Sequence, residues 1–177
     1  SAITSTLSGA TVAGPAGAPP EMSVDLGATN PNAGESVRFT FDLPDGSSET
    51  ITLTATASSP PGAGEFSIGA DSAATAANLQ AALTAQIGSL ARTALSAASA
   101  LAAADNFFNV DAANPPLRVA GPPFDTATAL VAGTDADTVT WYLGEAGSQP
   151  ARTTATAKVD QSISVQYGTR ANEEGIR

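Results

Sequence analysis

Between Val37 and Ala57 two runs of alternating apolar and polar residues flank a turn, and no other part of the chain constrains the fold as tightly. Val37, Phe39, Phe41 and Leu43 alternate with Arg38, Thr40 and Asp42; Ile51, Leu53, Ala55 and Ala57 alternate with Thr50, Thr52, Thr54 and Thr56. A period of two places each apolar set on one face of a strand. The intervening Pro44-Asp45-Gly46-Ser47 is turn chemistry, because proline presets φ and glycine accepts a positive φ. The segment is therefore predicted to be a β-hairpin with one buried face. Burying Phe39, Phe41, Ile51 and Leu53 contributes about 1.5–3 kcal/mol each before entropy is counted.

The flanking sequence supplies partners for that face. Met22 to Leu26 reads as a short strand, followed by a turn-rich stretch, Gly27 to Gly34. Glu65 to Ile68 reads as another strand, after which Asp71 or Ser72 can cap a helix. Leu79, Leu83, Ile87 and Leu90 form one apolar stripe on a helix expected over 73–87, with Gly88 as its stop. Residues 91–98 are compatible with helix or strand, and Ser99 can cap a second short helix through Asn106. Leu117 to Val119, Thr138 to Tyr142, Thr154 to Val159 and Ser162 to Tyr167 carry the alternation expected of strands. Tyr167 is expected to be partly buried, with Gly168 freeing the backbone to turn.

The fold class that follows is α+β: a β-hairpin-led sheet packed by one main Ala/Leu-rich helix, with a short second helix and a second small β region. The expected organisation is a linker-like arm over 1–20, a hairpin, helix and strand module over 21–120, a small β region over 121–170, and the start of a truncated helix over 171–177. The arm is too rich in small, Gly and Pro residues to offset its ordering entropy by burial, unless Ile3 to Leu7 pairs with an edge strand. The last residues read as the first turn of a helix cut inside a longer protein.

Composition limits the core and the partners. Of 177 residues 38 are Ala, so much of the 42% hydrophobic fraction is small and the core must be thin. Seventeen acidic against seven basic residues leave a net charge of −10, which denies the chain the cationic stripe that nucleic acid or an anionic membrane requires. No unbroken apolar run approaches the roughly 18 residues of a membrane span, so a soluble piece is expected. With no Cys there is no disulfide or thiolate site, and with no His the commonest acid/base group and metal ligand is missing.

The order from Val37 to Ala57 into Ala73-Ala74-Thr75-Ala76-Ala77-Asn78-Leu79-Gln80-Ala81-Ala82-Leu83 resembles the insertion motif in the variable region of bacterial flagellins. The later segments Thr138 to Glu145, Ala157 to Asp160 and Val165 to Glu173 resemble the stretch that leads into the C-terminal helical region of flagellins and flagellin-like hook-associated proteins. Together these span roughly residues 36 to 177. The resemblance implies the central, outward-facing portion of a flagellar subunit: structural, secreted, extracellular, serving motility, and neighboured by other subunits of the filament. Polymerisation, export and innate-receptor recognition lie in the family's helical regions and attach to no residue here. The isolated fragment is expected to be a monomer, since its charge opposes self-association.

No catalytic, cofactor-binding or metal-ligating residue is assigned, no cofactor is expected, and the chain is not expected to be an enzyme. A Ser-His-Asp arrangement is impossible without His, and no Gly-rich loop leads into Lys-Ser or Lys-Thr. The carboxylate pairs Asp42 and Asp45, Asp135 and Asp137, and Glu173 and Glu174 have the composition of a glycosidase pair, but solvated turns in an acidic chain place carboxylates together by default. Gly133-Thr134-Asp135-Ala136-Asp137-Thr138 has the spacing of a weak calcium loop without its central Gly or distal Glu, and reads better as a turn. Trp141-Tyr142 is a candidate sugar-stacking platform, set against the expectation that strand neighbours point to opposite faces. The Thr50, Thr52, Thr54 and Thr56 row reads as β-propensity on the solvent face, with O-linked glycans as the functional account suggested by the resemblance. The competing functional class is an extracellular carbohydrate-binding or adhesin module.

Overall fold

The computed structural model describes residues 1–110, 114–124, 127, 129–134, 136–144 and 149–173. The fold is α+β, and the chain forms two compact units, Ser1–Ala102 and Ala103–Arg177.

In the first unit the hairpin forms as its alternation requires. Strands β4 (Ser36–Asp42) and β5 (Ser48–Thr56) pair antiparallel with Val37 opposite Leu53 and Phe39 opposite Ile51. The turn closes through Leu43 N to Ser47 O at 2.8 Å and Gly46 N to Leu43 O at 3.0 Å, with Gly46 at φ 83°. Val37, Phe39, Ile51, Leu53 and Ala55 are buried, while Phe41 is half-buried near the strand end. On the other face Thr50 and Thr52 are exposed and Thr54 and Thr56 partly so, as the register demands.

Residues 1–20, expected as a linker-like arm, carry two strands, β1 (Ala2–Ser5) and β2 (Thr11–Ala16). The edge-pairing alternative holds: β1 runs antiparallel to β4, with Ile3 opposite Phe39. What offsets the ordering entropy is Leu7, which joins the core together with Leu26. Strand β2 forms a ribbon with β3 (Glu21–Asp25), irregular between Ala13 and Ala16 where Gly14-Pro15 interrupts the ladder.

The other edge of the sheet is β6 (Glu65–Ser67), parallel to β5. Parallel neighbours ordinarily need a crossover of about a dozen residues or more. Here β6 pairs only with Thr54, Ala55 and Thr56, so the loop 57–64 has to retrace about two residues, roughly 7 Å, before pairing begins. Phe66 on this strand is fully buried.

Helix α1 (Ser72–Arg92) packs across β5 and β6 and buries Leu79, with Leu83 and Leu90 half-buried against the same core. Of the two capping candidates it is Asp71 that caps, its carboxylate accepting from Ala74 N at 2.7 Å. The helix does not stop at Gly88 but runs to Arg92. The glycine costs about 1 kcal/mol relative to Ala, and continuing brings Leu90 onto the core. Ile87, an expected member of the stripe, is 40% exposed.

Thr93 interrupts the helical stretch: its hydroxyl donates to Ser89 O at 2.8 Å and its amide to Leu90 O at 3.2 Å. Helix α2 (Ala94–Phe108) starts at once, so residues 91–98 are helical apart from Thr93, and Ser99 lies inside α2 rather than capping it. Alanine's helix propensity decides this ambiguous stretch. By length and composition alone Ser72–Phe108 is long and apolar enough to cross a membrane, although its apolar residues form no unbroken run. Its apolarity is mostly alanine, interleaved with Ser, Thr, Asn and Gln.

The second unit is built from two small ribbons. Strands β7 (Leu117–Val119) and β8 (Leu130–Ala132) pair antiparallel, as do β9 (Thr156–Lys158) and β10 (Ser164–Gln166), which follow a 3-10 turn at Ala151–Thr154. Strand β8 was not expected, and the strand expected over 138–142 does not form. There the amide and hydroxyl of Thr138 both donate to Thr134 O, at 3.0 and 2.6 Å, which curls the chain into a turn. Tyr167 is 62% exposed rather than partly buried. Residues 171–173 form a turn and bend, and the remainder of the expected terminal helix, 174–177, lies outside the described residues.

Candidate functional site

Two of the carboxylates singled out by the sequence, Asp45 and Asp137, hold turns together. Asp45 accepts from the hydroxyl and amide of Ser47 at 2.6 and 3.0 Å, and these bonds, the hydroxyl foremost, keep its carboxyl below the usual range. Asp137 does the same for Thr134, accepting from its amide at 2.6 Å and its hydroxyl at 3.0 Å; the amide is the larger cause of its lowered pKa. Asp42 receives the Ser1 amino group, which lowers its pKa too. All three shift in the direction of hydrogen-bond acceptors, opposite to that of a carboxylic acid kept protonated for catalysis. Asp135 and Glu174, the partners in the other two pairs, lie outside the described residues. Among the described residues no group of three or more His, Cys, Asp or Glu side chains is placed to hold a metal ion.

Two polar hubs in the first unit escaped sequence reasoning. Glu35 accepts from Ser8 N at 2.7 Å, Asn32 N at 2.9 Å, Asn32 Nδ2 at 2.8 Å and the Ser8 hydroxyl. The Asn32 side chain, then Ser8, holds its pKa at about 2. The Asn32-x-x-Glu35 spacing hints at a local loop clamp, but the reach back to Ser8 has no local signal. The second hub is Thr75, fully buried in the first turn of α1. It accepts from Gly69 N at 2.8 Å, and its hydroxyl lies 2.8 Å from Asn30 Oδ1 and 2.9 Å from Asp71 O. Asn30 in turn donates to Gly69 O at 3.0 Å.

Trp141 and Tyr142 lie outside any strand, so the rule that neighbours face opposite sides does not apply to them. Both are half-buried, with ring centroids 5.6 Å apart and planes at 46°. Trp141 meets Phe108 edge-on at 5.4 Å, and Phe108 meets Phe107 at 5.2 Å. Four of the chain's nine aromatic residues thus form one run of rings, with the Trp141 indole N–H buried and without an acceptor among the described residues. The sequence reading named Trp141-Tyr142 alone, and the second aromatic doublet, Phe107-Phe108, is the signal that could have found the rest of the run.

An open groove of about 620 Å³ lies in the second unit. The 3-10 turn and the residues following β10 form its walls, which bring Arg152, Tyr167 and Arg170 to one surface. A smaller trough of about 490 Å³ in the first unit runs between the 59–64 loop and the alanine face of α1, lined also by Leu53 and Phe66. No family model, curated protein or solved structure matches the chain.

Proposed function

We propose that the chain is a structural, surface-exposed module of a bacterial flagellar filament or hook-associated subunit, extracellular and flanked in the assembled organelle by neighbouring subunits. The observation that carries this reading is the order of elements in residues 36–92: a tight hairpin, a short added strand and an Asp71-capped Ala/Leu helix across the sheet. That order resembles the flagellin insertion motif. The solvent-facing Thr50 and Thr52 agree with an outward position and offer hydroxyls for O-linked glycans.

The test is immunogold electron microscopy of intact cells with antibodies raised against the 36–56 hairpin. Labelling along flagella supports a filament subunit, and labelling confined to the hook junction or filament tip supports a hook-associated one. Flagella that stay unlabelled while the antibody binds elsewhere on the cell reject the proposal. The run of rings from Phe107 to Tyr142 favours one competing reading, a carbohydrate-binding module. Glycan binding by the isolated chain that is lost on Trp141→Ala would favour it.

A further inference from the structure

We infer that the open edge of β5 over 48–52 is a docking site for an extended peptide of a partner protein, added antiparallel as a further strand, with an aliphatic residue opposite Ile51 and a basic residue opposite Glu49. Strand β6 pairs only with Thr54, Ala55 and Thr56, so the earlier part of β5 has no strand on that side among the described residues. The bonds that are made fix the direction of the backbone. Ala55 donates to Glu35 O and accepts from Gly34 N, both at 2.8 Å, on the β4 side, whereas Thr54 N turns the other way to Gly64 O at 2.9 Å. Alternation along the strand then aims the N–H and C=O groups of Ser48, Thr50 and Thr52 away from β4, toward the open side. All three residues are exposed.

Such an edge is a template for another strand unless proline, a bulge or charge blunts it. Strand β5 contains no proline, its pairing with β4 runs without a register shift, and Thr50, Ile51 and Thr52 are β-branched. Its one charge is Glu49, exposed and in no ion pair among the described residues. That carboxylate turns the edge away from acidic chains, a second copy of net charge −10 included, and toward a cation. Opposite charges directly across a ladder attract, so the residue facing Glu49 is Lys or Arg. The other face of the added strand carries no cation, because Arg38 stands there on β4, opposite Thr52.

Gly64 sets where the added strand stops. The chain turns there at φ 74°, with Glu65 N donating to Gly62 O at 3.2 Å, and Gly64 O already holds Thr54 N. The positions facing Ser48 to Thr52 remain, about 17 Å of ladder. A side chain opposite Ile51 projects toward the face of the sheet that α1 covers, beside the trough lined by Leu53, Ala82, Ala85 and Gln86. The small alanines leave room for an aliphatic group. Main-chain bonds along an edge and a recess for an alternate side chain are the two requirements of strand addition.

The experiment is a titration of the whole 177-residue chain with the synthetic peptide acetyl-Thr-Val-Thr-Lys-Thr-amide, followed by amide chemical shifts and hydrogen exchange. The peptide is expected to move the Thr50 and Thr52 amides saturably and to slow their exchange. N-methylation of its central residue, whose N–H meets Thr50 O, should weaken binding about tenfold. Glu in place of its Lys should weaken binding about fivefold, and Glu49→Lys in the protein should reverse that preference. An N-methylated peptide that binds as well as the parent overturns the ladder, and equal affinity of the Lys and Glu peptides for the wild-type chain overturns the role of Glu49. Binding that leaves the Thr50 and Thr52 amides unmoved overturns the site. A free chain that sediments as a dimer with those two amides already protected overturns the peptide in favour of a second copy.

Discussion

Thr75 carries more of the first unit than its size suggests, because its one hydroxyl ties two loops to its own helix turn. It is the buried polar side chain among the described residues, and it joins Asn30 before β4, Gly69 before α1 and the helix turn it sits in. Thr75→Val keeps the shape but strands the Gly69 amide and Asn30 Oδ1 away from water, so unfolding free energy should fall by about 1–3 kcal/mol in urea denaturation, with Thr75→Ser nearer to wild type. Glu35 makes a prediction about pH. Its folded-state pKa of about 2 lies below the ordinary 4.5, so the stability it contributes is fully present above about pH 4.5 and is lost as pH falls toward 2. Thermal unfolding followed by circular dichroism between pH 6 and pH 2 should show this loss, and Glu35→Gln should flatten it. Asp45 and Asp137, whose pKa values are also lowered, add to the same acid-side decline.

Among the elements, α1 shows how tertiary packing overrides a local stop. Gly88 has the residue type of a helix end, yet it sits inside the helix, with Arg92 Nη1 at 3.5 Å as the nearest atom to an added Cβ. Gly88→Ala should therefore stabilise the chain, by about 0.5–1 kcal/mol. Gly46→Ala should do the reverse, since the hairpin turn holds that residue at φ 83°. A pair of thermal melts measures both, and the opposite signs separate a glycine tolerated by packing from one required by a turn. The β6 edge shows the same dependence on a neighbour. Its Ser67 carbonyl, which points away from the ladder, accepts from Asn78 Nδ2 of α1 at 2.8 Å, so the helix covers a group that an open edge would leave to another strand.

Across the whole molecule the two units differ in how much apolar surface they bury. The first has a continuous core from Leu7 to Leu79, whereas strands β7, β8, β9 and β10 leave Leu117, Val119, Leu130, Val131 and Val165 about half exposed or more. Two-stranded ribbons with such faces open at little cost. Hydrogen exchange read by mass spectrometry should find β4 and β5 the slowest segments and both ribbons of the second unit faster by orders of magnitude; equal protection would show a core that burial does not reveal. What the sequence by itself determined was local: the hairpin and its register, a helix cap at Asp71 or Ser72 and the exposed Thr face, because period-two alternation, turn chemistry and capping act between residues a few positions apart. The tertiary structure decided which distant residues meet. It drew Leu7 into the core, laid β6 parallel to β5, carried α1 past Gly88, bound Thr75 to Asn30 and brought Arg152 beside Tyr167 and Arg170. None of these has a local pattern, since each depends on burial and hydrogen bonding that a side chain obtains only when a remote segment arrives to provide it.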